Sequence, residues 1–387
     1  MEFIADRHQL SSCLQKIQSI LEKSSSLNNT DNILLKADAG KLEIIAFDQN
    51  CSARGSLTVE TGRSGAVSIN GRKAFDLVRS LSDEKITFRQ ESENSLVLIE
   101  DSKSSFKILS TDVDEFPEID FTRPDAFLGI ESEELTQLID LTVFSVAKIA
   151  DPRYNLQGVF LEIEPVNGLP DGEALSPERE ISPGSHFFSL IATDGHRVSV
   201  ARSSRVSGRI NLGERKIFSR KSLQEIKSVF SHPETLSLGF SHNEVVVWGE
   251  EFILVLRMLQ GDFPDYRRMI PERFQHQLLL EREPLLNTMK QMNLLAQEQY
   301  RGVIFDISKA GMKVSINNPE MGHGHTDLAL DYTGEPIKIA FNINYLMDFL
   351  QALPDQKVYF MINDKSQPCL LQGAEHEDYM CGIMPIN

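Results

Sequence analysis

The run Thr193-Asp194-Gly195-His196-Arg197 sets a carboxylate and an imidazole two residues apart, the residue types that general acid–base work requires. Spacing along the chain does not make a dyad, and Asp-Gly is a common turn pair. The run therefore reads as a turn that presents polar side chains and backbone groups at a surface. His323-Gly324-His325 brings two metal-ligating side chains close together, without the carboxylate or thiolate company that a metal centre needs. No G-x-x-x-x-G-K-[ST], G-x-G-x-x-G or G-x-S-x-G run is present, which leaves phosphate cradles and nucleophile elbows without a carrier. No catalytic residue, metal or cofactor is expected. The closing run Ile383-Met384-Pro385-Ile386-Asn387 is apolar almost to its last residue, whereas a free chain end is normally polar and frayed. Two accounts stand: a last strand running into the core, or side chains that line a surface groove, a use that suits adaptable methionine.

Charge narrows the choice of partner. A net charge of -17 over 387 residues opposes general affinity for nucleic acid. The charge is uneven, however. Between Arg202 and Lys227 lie eight basic residues (Arg202, Arg205, Arg209, Arg215, Lys216, Arg220, Lys221, Lys227) against two acidic ones. A basic stripe on an acidic body allows one face alone to meet DNA. The four cysteines (Cys13, Cys51, Cys369, Cys381) have no framework or zinc spacing, and no signal peptide or spanning apolar run is visible, so a reduced, cytoplasmic setting is expected with no membrane contact.

The elements that position these residues come in threes. Amphipathic helix signals start at Asp6, Glu131 and Glu281 and run to Leu21, Ala147 and Ala296. Each is followed by short β-rich strands, a polar turn and a second helix, opening at Gly71-Arg72-Lys73, Ser219-Arg220-Lys221 and Asn342-Ile343-Asn344. The first two units close alike, on Asp114-Glu115-Phe116-Pro117 and Gly261-Asp262-Phe263-Pro264. A period this long denotes whole domains and not solenoid units. The expectation is α+β: three similar domains (1–120, 127–257 and 258–387), each with two helices and about eight strands in antiparallel sheets, the second carrying an acidic loop insertion near 165–185.

Several motifs together resemble the bacterial DNA polymerase III beta subunit family, the replicative sliding clamps. They are Arg153-Tyr154-Asn155-Leu156-Gln157-Gly158-Val159, Ala192-Thr193-Asp194-Gly195-His196-Arg197, Phe263-Pro264-Asp265-Tyr266-Arg267-Arg268-Met269-Ile270-Pro271, Tyr300-Arg301-Gly302-Val303, Asn317-Asn318-Pro319-Glu320 and Met384-Pro385-Ile386. The resemblance spans the whole chain. It implies the DNA clamp fold and a head-to-tail homodimer ring whose helices face duplex DNA without regard to sequence. It implies a processivity factor, not an enzyme. The ring would tether the replicative DNA polymerase, the clamp loader, other polymerases and mismatch-repair proteins through their clamp-binding peptides.

Residue by residue, the resemblance implies a peptide groove of Arg153, Leu156, Thr193, Gly195, His196, Arg197, Val198, Pro264, Met269, Met384, Pro385 and Ile386. It implies DNA-facing Arg72, Lys73, Lys148, Arg220 and Lys221. It implies a dimer interface of Lys73, Lys103, Phe106 and Ile108 against Leu294, Leu295 and Glu320. The chain departs from the pattern in places. Ser24-Ser25-Ser26-Leu27-Asn28 replaces a basic loop after the first helix, and Met321-Gly322-His323-Gly324-His325 follows Glu320 where some relatives carry an acidic run, which points to a weaker or pH-sensitive dimer contact.

Overall fold

A computed structural model describes every residue except 22–30, 92–94, 149, 167–178, 211–215, 242, 300 and 387. Ser24 to Asn28, most of the 165–185 insertion, Arg215, Tyr300 and Asn387 therefore lie outside the described residues.

Among the described residues there are six α-helices: α1 (Arg7–Ile17), α2 (Gly71–Ser80), α3 (Ser132–Asp140), α4 (Arg220–Val229), α5 (Arg282–Asn293) and α6 (Ile343–Ala352). The second helix of each repeat opens on a short polar cap. Asn70 accepts from the Lys73 N–H at 3.0 Å, Ser219 from Ser222 at 2.9 Å and Asn342 from Asn344 at 3.0 Å. Such caps contribute about 1 kcal/mol each by serving N–H groups that no helical carbonyl can reach. The first helices stop earlier than their apolar periodicity suggests. Behind α3, the Thr142 hydroxyl donates back to the Leu138 carbonyl at 2.8 Å, and a 3-10 turn over Val143–Ser145 carries on the apolar face. Behind α5, Leu294, Leu295 and Ala296 donate three residues back, so the chain tightens out of the α-helix there.

The strands repeat the same plan three times. The strand leading into the first helix pairs with the strand that follows the second: Glu2–Asp6 with Lys85–Gln90, Phe127–Glu131 with Thr235–Phe240, His276–Glu281 with Lys357–Ile362. The strand leading into the second helix pairs with the one following the first: Gly65–Asn70 with Asn32–Asp38, Lys216–Ser219 with Gly158–Pro165, Ile337–Asn342 with Gly302–Ser308. A short bridge then closes each unit, at Ser68 and Thr111, Ile217 and Leu259, Ala340 and Ile386. All these pairings are antiparallel. The helices lie in pairs against one face of the sheets, with α1 on α2, α3 on α4 and α5 on α6. Leu10, Leu14 and Ile17 of α1 share a core with Ala74 and Val78 of α2 in this way. The opposite sheet face is covered by the linkers. Phe116 and Phe121 cluster with Leu34, Ile45 and Val255, and Phe263, Tyr266 and Met269 with Phe160, Val198 and Val200.

Sheets cross the joints between repeats without a break. Phe252–Arg257, the last strand of the second repeat, pairs with Cys51–Thr58 of the first. Tyr379–Ile383, the last strand of the third, pairs with Arg197–Ser203 of the second. The cysteines are all buried and free; burial pushes the Cys13 thiol up to about 12 and Cys381 to about 11, so these two carry no thiolate character at neutral pH. Among the described residues no helix is long and apolar enough to cross a membrane.

Candidate functional site

The Asp194 run is a strand-connecting turn, and its chemistry is that of the turn. The Asp194 carboxylate accepts from the His196 and Arg197 N–H groups at 2.9 and 3.1 Å. The other two repeats hold the same device in the same place. Asp48 accepts from Asn50 and Cys51 at 2.7 and 2.6 Å, and Asn318 from Glu320 and Met321 at 2.9 and 3.3 Å. Asp48-Gln49-Asn50 and Asn318-Pro319-Glu320 were therefore legible as counterparts of Asp194-Gly195-His196. With its second oxygen on the Arg197 guanidinium at 3.2 Å, Asp194 is fully engaged in holding this hairpin. Gly195 has φ +88°, and a Cβ there would lie 2.7 Å from Arg153 Nη1, so both backbone and space call for glycine.

Around this hairpin the joint between the second and third repeats gathers most of the expected groove. Thr193 Oγ1 donates to the Arg197 carbonyl at 2.6 Å and lies 3.9 Å from Met269 Sδ. Val198 pairs with Gly382, where a Cβ would lie 3.1 Å from Val198 Cγ1 and 3.4 Å from the Met269 carbonyl oxygen. The Met384 N–H donates to the His196 carbonyl at 2.9 Å, and the Ile386 N–H to Ala340 at 2.8 Å. The chain end thus completes a strand and still leaves Met384 and Pro385 half-buried and Ile386 39% exposed beside the hairpin. The strand account of that apolar terminus holds, and these three side chains remain at the surface beside the hairpin. Arg153 reaches over the turn to the Asp194 carbonyl at 3.0 Å, and its hydrogen bonds hold the Asp151 carboxyl down at about 2. Leu156 is buried, its N–H tied to the Arg153 carbonyl at 3.0 Å. Pro264 is exposed on the linker next to Phe263, whose ring stacks on Phe160 at 4.7 Å.

Arg197 has a different place from the other groove candidates. Its side chain is only 7% exposed and spans the joint. It donates to Asp348 of α6 at 2.7 Å and to the Phe144 carbonyl, and it lies 4.3 Å from the Tyr345 ring centre. Arg197 is a strut between repeats, and Asp348, Tyr345 and Phe144, its partners, went unnoticed in the sequence. Beside it lies a recess of about 520 Å³. Lys148, Arg153, Arg220 and Arg301 line it together with Asp151, Asp194 and Asp348.

The basic candidates thus separate. Lys148 and Arg220 meet at this recess. Lys221 turns the other way and pairs with Asp48, a carboxylate 1% exposed, across the first joint. There Ser19 and Glu225 also meet. Arg72 donates to the Leu21 carbonyl at 2.6 Å, while Lys73 is exposed. At the outer ends of the chain, Phe106 is 38% exposed and Leu294 79%; Lys103 and Glu320 are exposed, and Ile108 and Leu295 pack partly against the core.

Three like repeats joined edge to edge, with paired helices on one wall and sheet on the other, define a DNA clamp fold. The chain belongs to the bacterial DNA polymerase III beta subunit family: residues 1–120 match its N-terminal domain, 183–265 its central domain and 267–387 its C-terminal domain. The beta sliding clamp of Vibrio cholerae is 28% identical over 389 residues, and that of Pseudomonas aeruginosa 26% over 391, each match covering both chains in full. Among solved structures, the DNA polymerase III beta subunit of Pseudomonas aeruginosa superposes with a TM-score of 0.87 and the Bartonella birtlesii sliding clamp bound to griselimycin with 0.89. Both are 24% identical and covered over their full length, as is this chain.

Proposed function

We infer that this chain is a DNA polymerase processivity clamp, which acts by encircling duplex DNA and performs no catalysis itself. The observation that carries the reading is the way its sheets join. Two joints pair the last strand of one repeat with the strand that follows the Asp48 or Asp194 turn in the repeat before it. The same two kinds of strand are left at the chain's ends. Gly322–Leu328 is the edge of its four-stranded sheet, and along Ser105 to Leu109 one edge has no partner strand among the described residues. A second copy supplies each end with what it lacks. Two chains joined head to tail then close a ring of six repeats, the closed cyclic symmetry open to a heterologous contact. Lys73, Lys103, Phe106 and Ile108 meet Leu294, Leu295 and Glu320 in that joint.

The helices line the hole. Lys148 and Arg220 make weak phosphate contacts there, with Arg72 and Lys73 near the seam, so that linkage around the duplex, not affinity, provides retention. Partner proteins reach the ring through an extended peptide laid in the groove of Leu156, Thr193, Val198, Pro264, Met269, Met384, Pro385 and Ile386. Arg153, Gly195 and His196 orient it. The replicative polymerase, the clamp loader, other polymerases and mismatch-repair proteins are the partners proposed. Retention after loading is the test: the protein remains on closed circular DNA and is lost when the circle is cut. Equal retention on both forms, or tight binding to a short linear duplex, overturns the ring.

A further inference from the structure

The two internal joints share one register, and this fixes how the chain's two open ends can meet. Counting along the ladders from the caps Asn70, Ser219 and Asn342, Ser52, Val198 and His323 occupy the same place in their repeats. Counting from Asp6, Glu131 and Glu281 in the same way, Lys107, Val255 and Gly382 correspond. One joint pairs Ser52 with Val255 and the other Val198 with Gly382. The third member of the series is His323 with Lys107.

The side chains fit that register on both faces. On the helix side, bulky Ile108 and Phe106 fall opposite Gly322 and Gly324. A Cβ at Gly324 would already lie 3.3 Å from Leu295, so the glycine is what leaves a seat for the Phe106 ring. On the outer side, exposed Leu109 comes beside exposed Met321, and Lys103 comes opposite Asp327. His323 and His325, both exposed, share that outer face. His323 is directly opposite Lys107; His325 is opposite Ser105 and diagonal to both lysines, within side-chain reach.

We propose that the seam between two copies closes in this register and that the His323–Lys107 opposition makes its closure proton-sensitive. The inference rests on the reading of the chain as a ring subunit. Among the described residues, the charged groups on the outer face of the seam are Asp327 with Lys313 beside it, Lys103, Lys107 held by Glu91 at 2.6 Å, and Glu100 with Arg89 at 3.7 Å. These are three acids against four bases among the described residues, so no surplus of acid there offsets added positive charge. Protonation places two more cations against the lysines in each seam, and like charges opposed across strands weaken pairing.

The experiment has two arms. Paired cysteines are placed at His323→Cys with Lys107→Cys, and in shifted pairs at His323→Cys with Ser105→Cys or Leu109→Cys; the native cysteines are buried. Oxidation is expected to cross-link the first pair, and preferential cross-linking of a shifted pair overturns the register. Dimer dissociation is then measured by sedimentation at pH 7.5 and 5.5. With four protonated histidines in a ring, the wild-type Kd is expected to rise by at least about tenfold at the lower pH. The His323→Gln/His325→Gln dimer is expected to remain nearly level. An equal pH response in both proteins overturns the histidine role while leaving the ring in place. Monomers of the wild-type chain at both pH values and tens of micromolar concentration overturn the ring itself.

Discussion

Lys221 is the residue on which charge pattern and geometry disagree most, so Lys221→Met decides between them. If Lys221 serves the first joint, its loss strands a carboxylate: the Asp48 side chain is 1% exposed while the lysine is 41% exposed. Removing one partner of a buried ion pair costs about 3–5 kcal/mol. The half-exposed lysine is screened by water, and Asp48 keeps its two backbone donors, which reduces the expected loss to about 2 kcal/mol. Asp48→Asn deletes the charge and still offers an oxygen to the Asn50 and Cys51 N–H groups. The double variant is therefore expected to recover about 1 kcal/mol relative to the sum of the single changes. The sole tryptophan, Trp248, belongs to the apolar cluster at this same joint, so its fluorescence during urea unfolding reads the joint directly. For Lys221→Met the urea midpoint is expected to fall by about 1 M with an unchanged slope. An unaltered midpoint, combined with a loss of DNA retention as large as that of Arg220→Glu, refutes the strut.

Other outcomes follow from the same geometry. Deleting Met384 to Asn387 removes the backbone bonds to His196 and Ala340 and part of the groove wall; calorimetry is expected to show no binding of a short Gln- and Leu-containing peptide, while the dimer persists. Leu294→Glu with Leu295→Glu is expected to give monomers by light scattering, since the first side chain is 79% exposed where the seam is proposed. Lys148→Glu with Arg220→Glu is expected to shorten retention on circular DNA and to flatten its salt dependence without changing the thermal midpoint. Gly195→Ala meets a φ of +88° and the Arg153 guanidinium together, so a loss of about 1–2 kcal/mol in stability is expected, with weaker peptide binding.

The repeat and its fold class were legible because amphipathic helices and short alternating strands are local signals. The openings read at Gly71, Ser219 and Asn342 fall at the starts of the second helices in space, Gly71 as the first residue and the other two as caps. The groove was legible only in part. His196, Val198 and Met384 meet through ladder pairings that span nearly two hundred residues, and no local pattern encodes such a pairing. The same holds for the basic residues. Arg220 and Lys221 are neighbours in sequence, yet successive helical positions point about 100° apart, and they serve different joints. Composition could count the charges in that stripe but could not assign them.

The joints also order events during synthesis. Each is closed by the last strand of the following repeat, so Cys51–Thr58 waits for Phe252–Arg257, some 200 residues downstream, and Arg197–Ser203 for Tyr379–Ile383. At ordinary translation speeds that is roughly 10–40 s for each joint. During that interval the nascent first repeat offers an uncovered strand edge, the kind of template on which chains pair wrongly. The second joint cannot form until Tyr379–Ile383 has been made. A product cut short ahead of Tyr379 leaves Arg197–Ser203 without its pairing strand even where its first two repeats have folded.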